Sequence, residues 1–368
     1  MERVHSWDDL IEIAKRHAVL PLLHRFLTHE CPASIPHDGL AKLRTQWQFL
    51  ILFNRHLTAE LVRLMGLLKA SGIAAMTFKG PVLAAMAYGS IDLRQFVDLD
   101  ILVRQIDLPR VAEILADERY LSPHVRREGL ATGYFQEYED AFSSATGLGA
   151  VDVHWKLTSR AFRFAPTEEA FWRRAQTVEL EGGTVTAIAP EDLLLYICVH
   201  AAKHGWLQLG SICDVAQTLR ARPAVDLMAI LDEATTLGSR RMYLTGIYLA
   251  HELLDAPVAE NVVAIARDDR NVRALASRVA NGLFSSAGPG RSRFDPWAVP
   301  IRSIEGARAR MNYIVHRMMA PTMGDYELLP LPEALFPLYW VIRPFRMALQ
   351  YGPRLLRGGA NAPIAPRS

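Results

Sequence analysis

The chain has little cysteine, little lysine, no long apolar run and almost no net charge. Its three cysteines, Cys31, Cys198 and Cys213, are widely spaced. They form no disulfide framework and no metal-binding cysteine pattern, and they fit a reducing compartment. A formal charge of +2 over 368 residues gives no basic track for general nucleic-acid binding. No stretch reaches the roughly 18 uncharged apolar residues of a spanning helix. The nearest, Leu335 to Ile342, is interrupted by Pro337 and followed by Arg343-Pro344. The opening Met1-Glu2-Arg3-Val4-His5 has no signal-peptide profile, so the expectation is a soluble, cytoplasmic protein. Lysine occurs at only six positions, and three of them (Lys79, Lys156 and Lys203) fall in or beside the segments singled out below.

Half of the residues are hydrophobic, which marks a globular chain long enough for two domains, or for one core with a helical extension. The spacing predicts helices from Trp7, with Ser6 as N-cap, and from Leu40 to Ala70. Strand and helix signals then alternate. Ile73–Phe78 reads as a buried strand, Gly80-Pro81 opens a helix to about Tyr88, Asp98–Val103 is a second strand and Leu108–Arg119 a second helix. Tyr134–Phe142 and Ala150–Leu157 read as antiparallel neighbours, and Thr177–Ile188 as a hairpin turning at Gly182-Gly183. From Pro190 the pattern is helical again, over 209–220, 225–236, 239–254, 258–283 and 301–318. Phe284–Ile301 reads as a long exposed connection. The expected organisation is an N-terminal helical region (1–65), an α+β core (66–188), a C-terminal helical domain (189–351) and a disordered tail (352–368).

Chemistry is concentrated in two places. Asp98-Leu99-Asp100 lies inside an apolar strand, where carboxylates are rare unless their charge is balanced. Side chains alternate along a strand, so Asp98 and Asp100 share one face while Val97, Leu99 and Ile101 pack behind. Asp152, in Val151-Asp152-Val153-His154-Trp155, recurs with the same parity. Three neighbouring carboxylates repel one another unless a divalent cation sits among them. Taken alone, the acid pair reads more readily as a strand end whose carboxylates cap a neighbouring helix. Its surroundings shift the balance: Lys79-Gly80 ends the preceding strand, glycine permits close backbone approach to a phosphate, and the next helix start favours an anion.

These residues, with Arg94–Val103 and the helix from Pro190 through Asp214, resemble the nucleotidyltransferase superfamily that includes DNA polymerase β and the antibiotic nucleotidyltransferases. Within it the chain looks most like a bacterial branch of uncharacterised nucleotidyltransferases. There is one departure. The superfamily's Gly-Gly or Gly-Ser turn stands nearer to the acid pair than Lys79-Gly80-Pro81 and farther from it than Gly89-Ser90.

The resemblance implies a small mixed-sheet core flanked by helical regions, and two-metal chemistry with Asp98, Asp100 and Asp152 as both metal ligands and catalytic residues. Magnesium is the expected ion, with manganese as substitute. The donor is an NTP, ATP by default, with Lys79, Gly80 and Arg94 at its phosphates. His154 shares a face with Asp152 and reads as an orienting group, a substrate contact or a buried core histidine. Trp155 faces the core. His200 and His204, one helical turn apart, read with Lys203 as pocket wall more readily than as a zinc site, and Asp214 is a candidate partner for one of them.

After Glu333 the chain has no acid, while Arg343, Arg346, Arg354, Arg357 and Arg367 alternate with Phe336, Tyr339, Trp340 and Tyr351. Such a segment either packs its aromatics and solvates its arginines or makes peripheral contact with an anionic membrane. The expected function is transfer of a nucleoside monophosphate to a hydroxyl of a small-molecule, peptide or protein acceptor, and not to long nucleic acid. Two alternatives stand beside it: a non-catalytic nucleotide-binding module, and a metal-dependent hydrolase built on Asp152, His154, His200 and His204.

Overall fold

Seven strands form one mixed sheet in the computed structural model, which describes residues 6–31, 36–122, 135, 137–162, 164, 168–283 and 298–356, the side chains of residues 37 and 350–356 excepted. In chain order they are β1 (Ala75–Thr77), β2 (Asp98–Val103), β3 (Tyr120–Leu121), β4 (Glu139–Ser144), β5 (Ala150–His154), β6 (Gln176–Leu180) and β7 (Gly183–Ala187). Across the sheet the order is β3-β4-β5-β2-β1-β7-β6. β2 pairs in parallel with β5 and β1 in parallel with β7, while every other pairing is antiparallel. With helices on both flanks, this is the α+β architecture expected from the sequence.

Alternation along β2 decides which face is dry. Leu99, Ile101 and Val103 join Val151 and Val153 of β5 in one core, with Leu57, Leu61, Leu64 and Leu68 from the helix His37–Ala70 and Val111 and Leu115 from the helix Leu108–Asp117. On the other face Met76, Phe78 and Leu102 share a second core with Leu193, Leu194 and Ile197 of the helix Pro190–Lys203. The acids lie on this second face. Asn54, fully buried on the long helix, donates through Nδ2 to Ile91 O (2.6 Å) and Arg94 O (2.8 Å). It thereby satisfies two carbonyls of the loop leading into β2, as buried backbone acceptors require.

Several boundaries differ from the sequence reading for local reasons. Ser6 caps the helix Trp7–Arg16 as expected, accepting from Asp9 N. The segment after Lys79 begins as α-helix, Gly80–Leu83, but widens into a π-turn over Ala84–Tyr88. The pattern at 258–283 is two helices, Glu260–Asp268 and Arg270–Leu283, because Asp269 accepts from Asn271 N and Val272 N and starts a new one. The pattern at 301–318 is likewise two, Ala298–Ser303 and Ala307–Met319, parted at Gly306, whose φ is +80°. The expected exposed connection therefore ends before Ala298, and residues 284–297 lie outside those described. β5 stops at His154, short of Leu157. The last helix, Tyr339–Leu356, runs past residue 351 into the segment read as tail; residues 357–368 are outside those described.

Of the C-terminal arginines, Arg343 and Arg346 are not simply solvated. Arg343 is buried and donates to Asp325 Oδ2 at 2.9 Å, and Arg346 Nε stands 2.6 Å from Asp325 Oδ1. Phe336 and Tyr339 pack with Phe135 in a small aromatic cluster. No helix among the described residues is long and apolar enough to cross a membrane.

Candidate active site

The parallel pairing of β2 with β5 sets Asp100 directly opposite Asp152 and Leu102 opposite His154. On the far side of β5, antiparallel β4 places Glu139 opposite His154. One ligand atom each from Asp100, Asp152 and His154 falls within 4.8 Å of the others. Asp98 sits one step back along the same face of β2, half-buried beside Ala150. Sequence parity thus puts all three acids on one face, and Asp100, Asp152 and His154 form the close group while Asp98 stands just outside it.

Asp100 is the hub. It is 1% exposed, and its Oδ1 meets two donors: Lys79 Nζ at 2.6 Å and His154 Nε2 at 3.0 Å. Its Oδ2 is buried without a hydrogen-bond partner. Burial works against ionisation of Asp100, but Lys79 and His154 outweigh it and hold the carboxyl well below the usual range. Burial also opposes the Lys79 charge, and Asp100 outweighs it and raises that pKa. Asp152 goes the other way, pushed up to about 7 by burial first and then by Asp100 and Asp98. Asp98 is raised by burial and by Asp100. One acid is thus neutralised within the protein and two remain under mutual repulsion.

His154 is fully buried, and its role is narrower than the sequence allowed. Its Nε2 orients Asp100 rather than Asp152, its Nδ1 lies 3.3 Å from Glu139 Oε2, and its ring stands edge-on to Phe78 at 5.0 Å. Trp155 is core, as expected.

Lys79 is positioned by Gly80. The glycine has φ +52°, and a Cβ there would stand 3.3 Å from Asp98 O, so a side chain at residue 80 would be strained both by its backbone and by crowding against β2. Gly89-Ser90 does something else: Ser90 Oγ accepts from Asp92 N.

Arg94 is held apart from the acids. Its Nε and Nη2 bind Asp214 at 2.8 and 3.0 Å, and Tyr88 OH donates to the same carboxylate at 2.7 Å. Asp214 therefore partners an arginine and a tyrosine, not a histidine as expected. The long separation in sequence (Arg94 against Asp214) hid this pair. Lys79 and Arg94 nevertheless meet in the wall of one cavity of ≈110 Å³, together with Gln95, His200, Gln208 and Ser211. Two buried wall atoms, Arg94 Nη1 and Gln95 Oε1, have no partner.

The remaining candidates are spread out. Lys203 Nζ donates to Tyr138 OH at 2.9 Å and lies 4.6 Å from its ring centre. Burial lowers its pKa. His200 lines the cavity, accepts or donates at Tyr196 OH (3.3 Å), and is driven well below its ordinary pKa by burial and by Lys79. His204 is exposed beside it, ring centres 4.5 Å apart. Neither joins a group of three metal-ligating side chains among the described residues. Glu139 and Tyr138 were missed in the sequence. The only signal was the antiparallel neighbour of β5, whose register the sequence does not print.

Oxygen-rich donors with one imidazole suit a hard divalent ion such as Mg²⁺ or Mn²⁺. The unpartnered, buried Asp100 Oδ2 and the repelling Asp152 and Asp98 are groups that such an ion would satisfy. A family model described as uncharacterised nucleotidyltransferase matches residues 4–255. No curated protein matches the chain.

Proposed function

The chain belongs to the uncharacterised nucleotidyltransferase family, and from that premise we propose that it transfers a nucleoside monophosphate from an NTP to a hydroxyl acceptor at the Asp98–Asp100–Asp152 cluster. The observation that carries this reading is the in-register pair Asp100 and Asp152 on parallel neighbours, with one carboxylate oxygen left unpartnered. Asp98, Asp100 and Asp152 would hold magnesium or manganese. When bound, the ion offsets charge developing on the α-phosphate and aligns the displacement.

The acceptor oxygen forms a bond to the α-phosphorus as the bond to the bridging oxygen breaks. Pyrophosphate leaves with that electron pair, and the hydroxyl proton passes to Asp152. Asp100, oriented by His154 and Lys79, keeps a fixed carboxylate at the cluster. Arg94, braced by Asp214 and with Nη1 free, is the phosphate ligand of the adjoining cavity, together with Lys79. Gly80 fixes the turn that presents Lys79, and Lys203 and His204 edge the neighbouring surface. ATP is the donor of first choice, in keeping with a cytoplasmic location, and the acceptor is a small molecule, peptide or protein. The exposed apolar residues Val341, Phe345 and Leu349 on the last helix support peripheral contact with a membrane as an accessory property.

The hydrolase reading needs His200 and His204 alongside Asp152 and His154, and only His154 of these histidines lies with the acids. The test is pyrophosphate release from each of the four NTPs with Mg²⁺ or Mn²⁺ and a crude cell extract as acceptor source. We expect release that disappears in the Asp98→Ala/Asp100→Ala variant. Absence of any metal-dependent nucleotide binding would overturn the reading.

A further inference from the structure

Lys79 touches the acid cluster on one side and the cavity wall on the other. Its ammonium lies 2.6 Å from Asp100 Oδ1, and the same residue lines the cavity that Arg94 and Gln95 enter. Linking a carboxylate to a phosphate is the task of an ion in a two-metal site, where paired ions clamp the transferring group. Resting on the nucleotidyltransferase reading above, we propose that the Lys79 ammonium stands in for one of those two ions, so that the site works with a single divalent ion.

Three observations carry this. The first is oxygen supply. A carboxylate shared between two ions gives one oxygen to each, but Oδ1 of Asp100 is already occupied by Lys79 and His154. Only Oδ2 is left, and it has no partner. The second is charge. The Lys79 ammonium already sets one positive charge 2.6 Å from Asp100 Oδ1, so a second divalent ion at that oxygen would stand directly against a like charge. The third is placement. The Lys79 side chain is only 14% exposed, and the Gly80 turn beneath the Asp98 carbonyl fixes where its stem begins. An ammonium has three donors, so it can hold Asp100 and still meet a phosphate oxygen in the cavity.

The measurement is a count of bound Mn²⁺ per full-length chain, read from the electron paramagnetic resonance signal of the free ion. It is made with no nucleotide and with one equivalent of each α,β-methylene NTP analogue, which resists cleavage. We expect one Mn²⁺ per chain in both states. Two ions in the wild-type analogue complex would overturn the assignment to Lys79 while leaving nucleotidyl transfer intact. Failure to bind Mn²⁺ or any analogue would remove the parent reading as well, so the two failures are distinguishable. Lys79→Arg, which keeps the charge, should remain at one ion. Lys79→Met, checked for folding by its thermal melt, should rise to two. A folded Lys79→Met that stays at one ion also overturns the proposal, and if that variant does not fold, the wild-type count decides alone.

Discussion

Two buried carboxylates in this molecule have opposite economies. Asp325 is fully buried between two arginines: its Oδ2 accepts from Thr322 N, Thr322 Oγ1 and Arg343, and its Oδ1, without a hydrogen bond of its own, stands 2.6 Å from Arg346 Nε in an ion pair. Asp100 is as deeply buried and has two cationic or polar partners, yet one of its oxygens is unpartnered and two further acids crowd it. At Asp325 two arginines balance one carboxylate. At Asp100 one cation stands among three acids and one oxygen is unpartnered, an arrangement that costs stability and fits the chemical role proposed for it.

The comparison breaks most sharply at Asp152. Asp152→Asn should lower nucleotidyl transfer ~10³-fold, on the scale of removing one group that stabilises a transition state. It should leave the melting temperature unchanged or higher, because it relieves repulsion with Asp100 and Asp98. A variant that melts well below wild type would show that Asp152 is structural. Asp325→Ala should do the reverse. Stranding Arg343 in the interior costs about 3–5 kcal/mol, read by urea denaturation, with activity per folded molecule retained.

Asn54 lies between these extremes, since it serves the fold at the entrance to the site. Asn54→Ala leaves the carbonyls of Ile91 and Arg94 without their donor and should cost about 2 kcal/mol. If the loop matters to phosphate binding, KM for the NTP should rise more than kcat falls.

The smallest effect is in pH. Burial pushes the Asp325 carboxyl up, but hydrogen bonds from Thr322 and the charge of Arg343 outweigh it and leave its pKa lowered. A depressed carboxylate contributes stability above its unfolded pKa, near 3.9, and loses it as pH falls through the folded value. The gap in melting temperature between wild type and Asp325→Asn should therefore be widest near neutrality and narrow below about pH 4. A gap that stays constant with pH would sink this account.

Some of this was legible in the chain and some was not, for physical reasons. β2 was readable to its ends, because an apolar run with acids at period two admits one pairing of faces. The shared face of Asp98, Asp100 and Asp152 followed from the same parity. The family likeness, resting on those residues and on Lys79-Gly80, pointed to the fold that the chain has. What could not be read were partnerships between distant elements: Asp214 with Arg94, Asp325 with Arg343, and His154 with Asp100 rather than Asp152. These depend on strand register and helix docking, which hydrophobic periodicity does not encode. The split at Asp269 was available in principle, since an aspartate with two free amides following it is an N-cap signal. It was masked by continuous helical spacing across the break.

The pairing of β2 with β5 has one more consequence. A slip of one residue would turn Asp152 and His154 into the apolar core and set Val151 and Val153 over Asp100. Side chains exchange faces wholesale on such a slip, so a misregistered sheet would be both greasy on the wrong side and chemically inert. The alternation that buries the valines is in this sense a proofreading device: a molecule that has its sheet right has its acids right, and no partly correct version of the site survives folding.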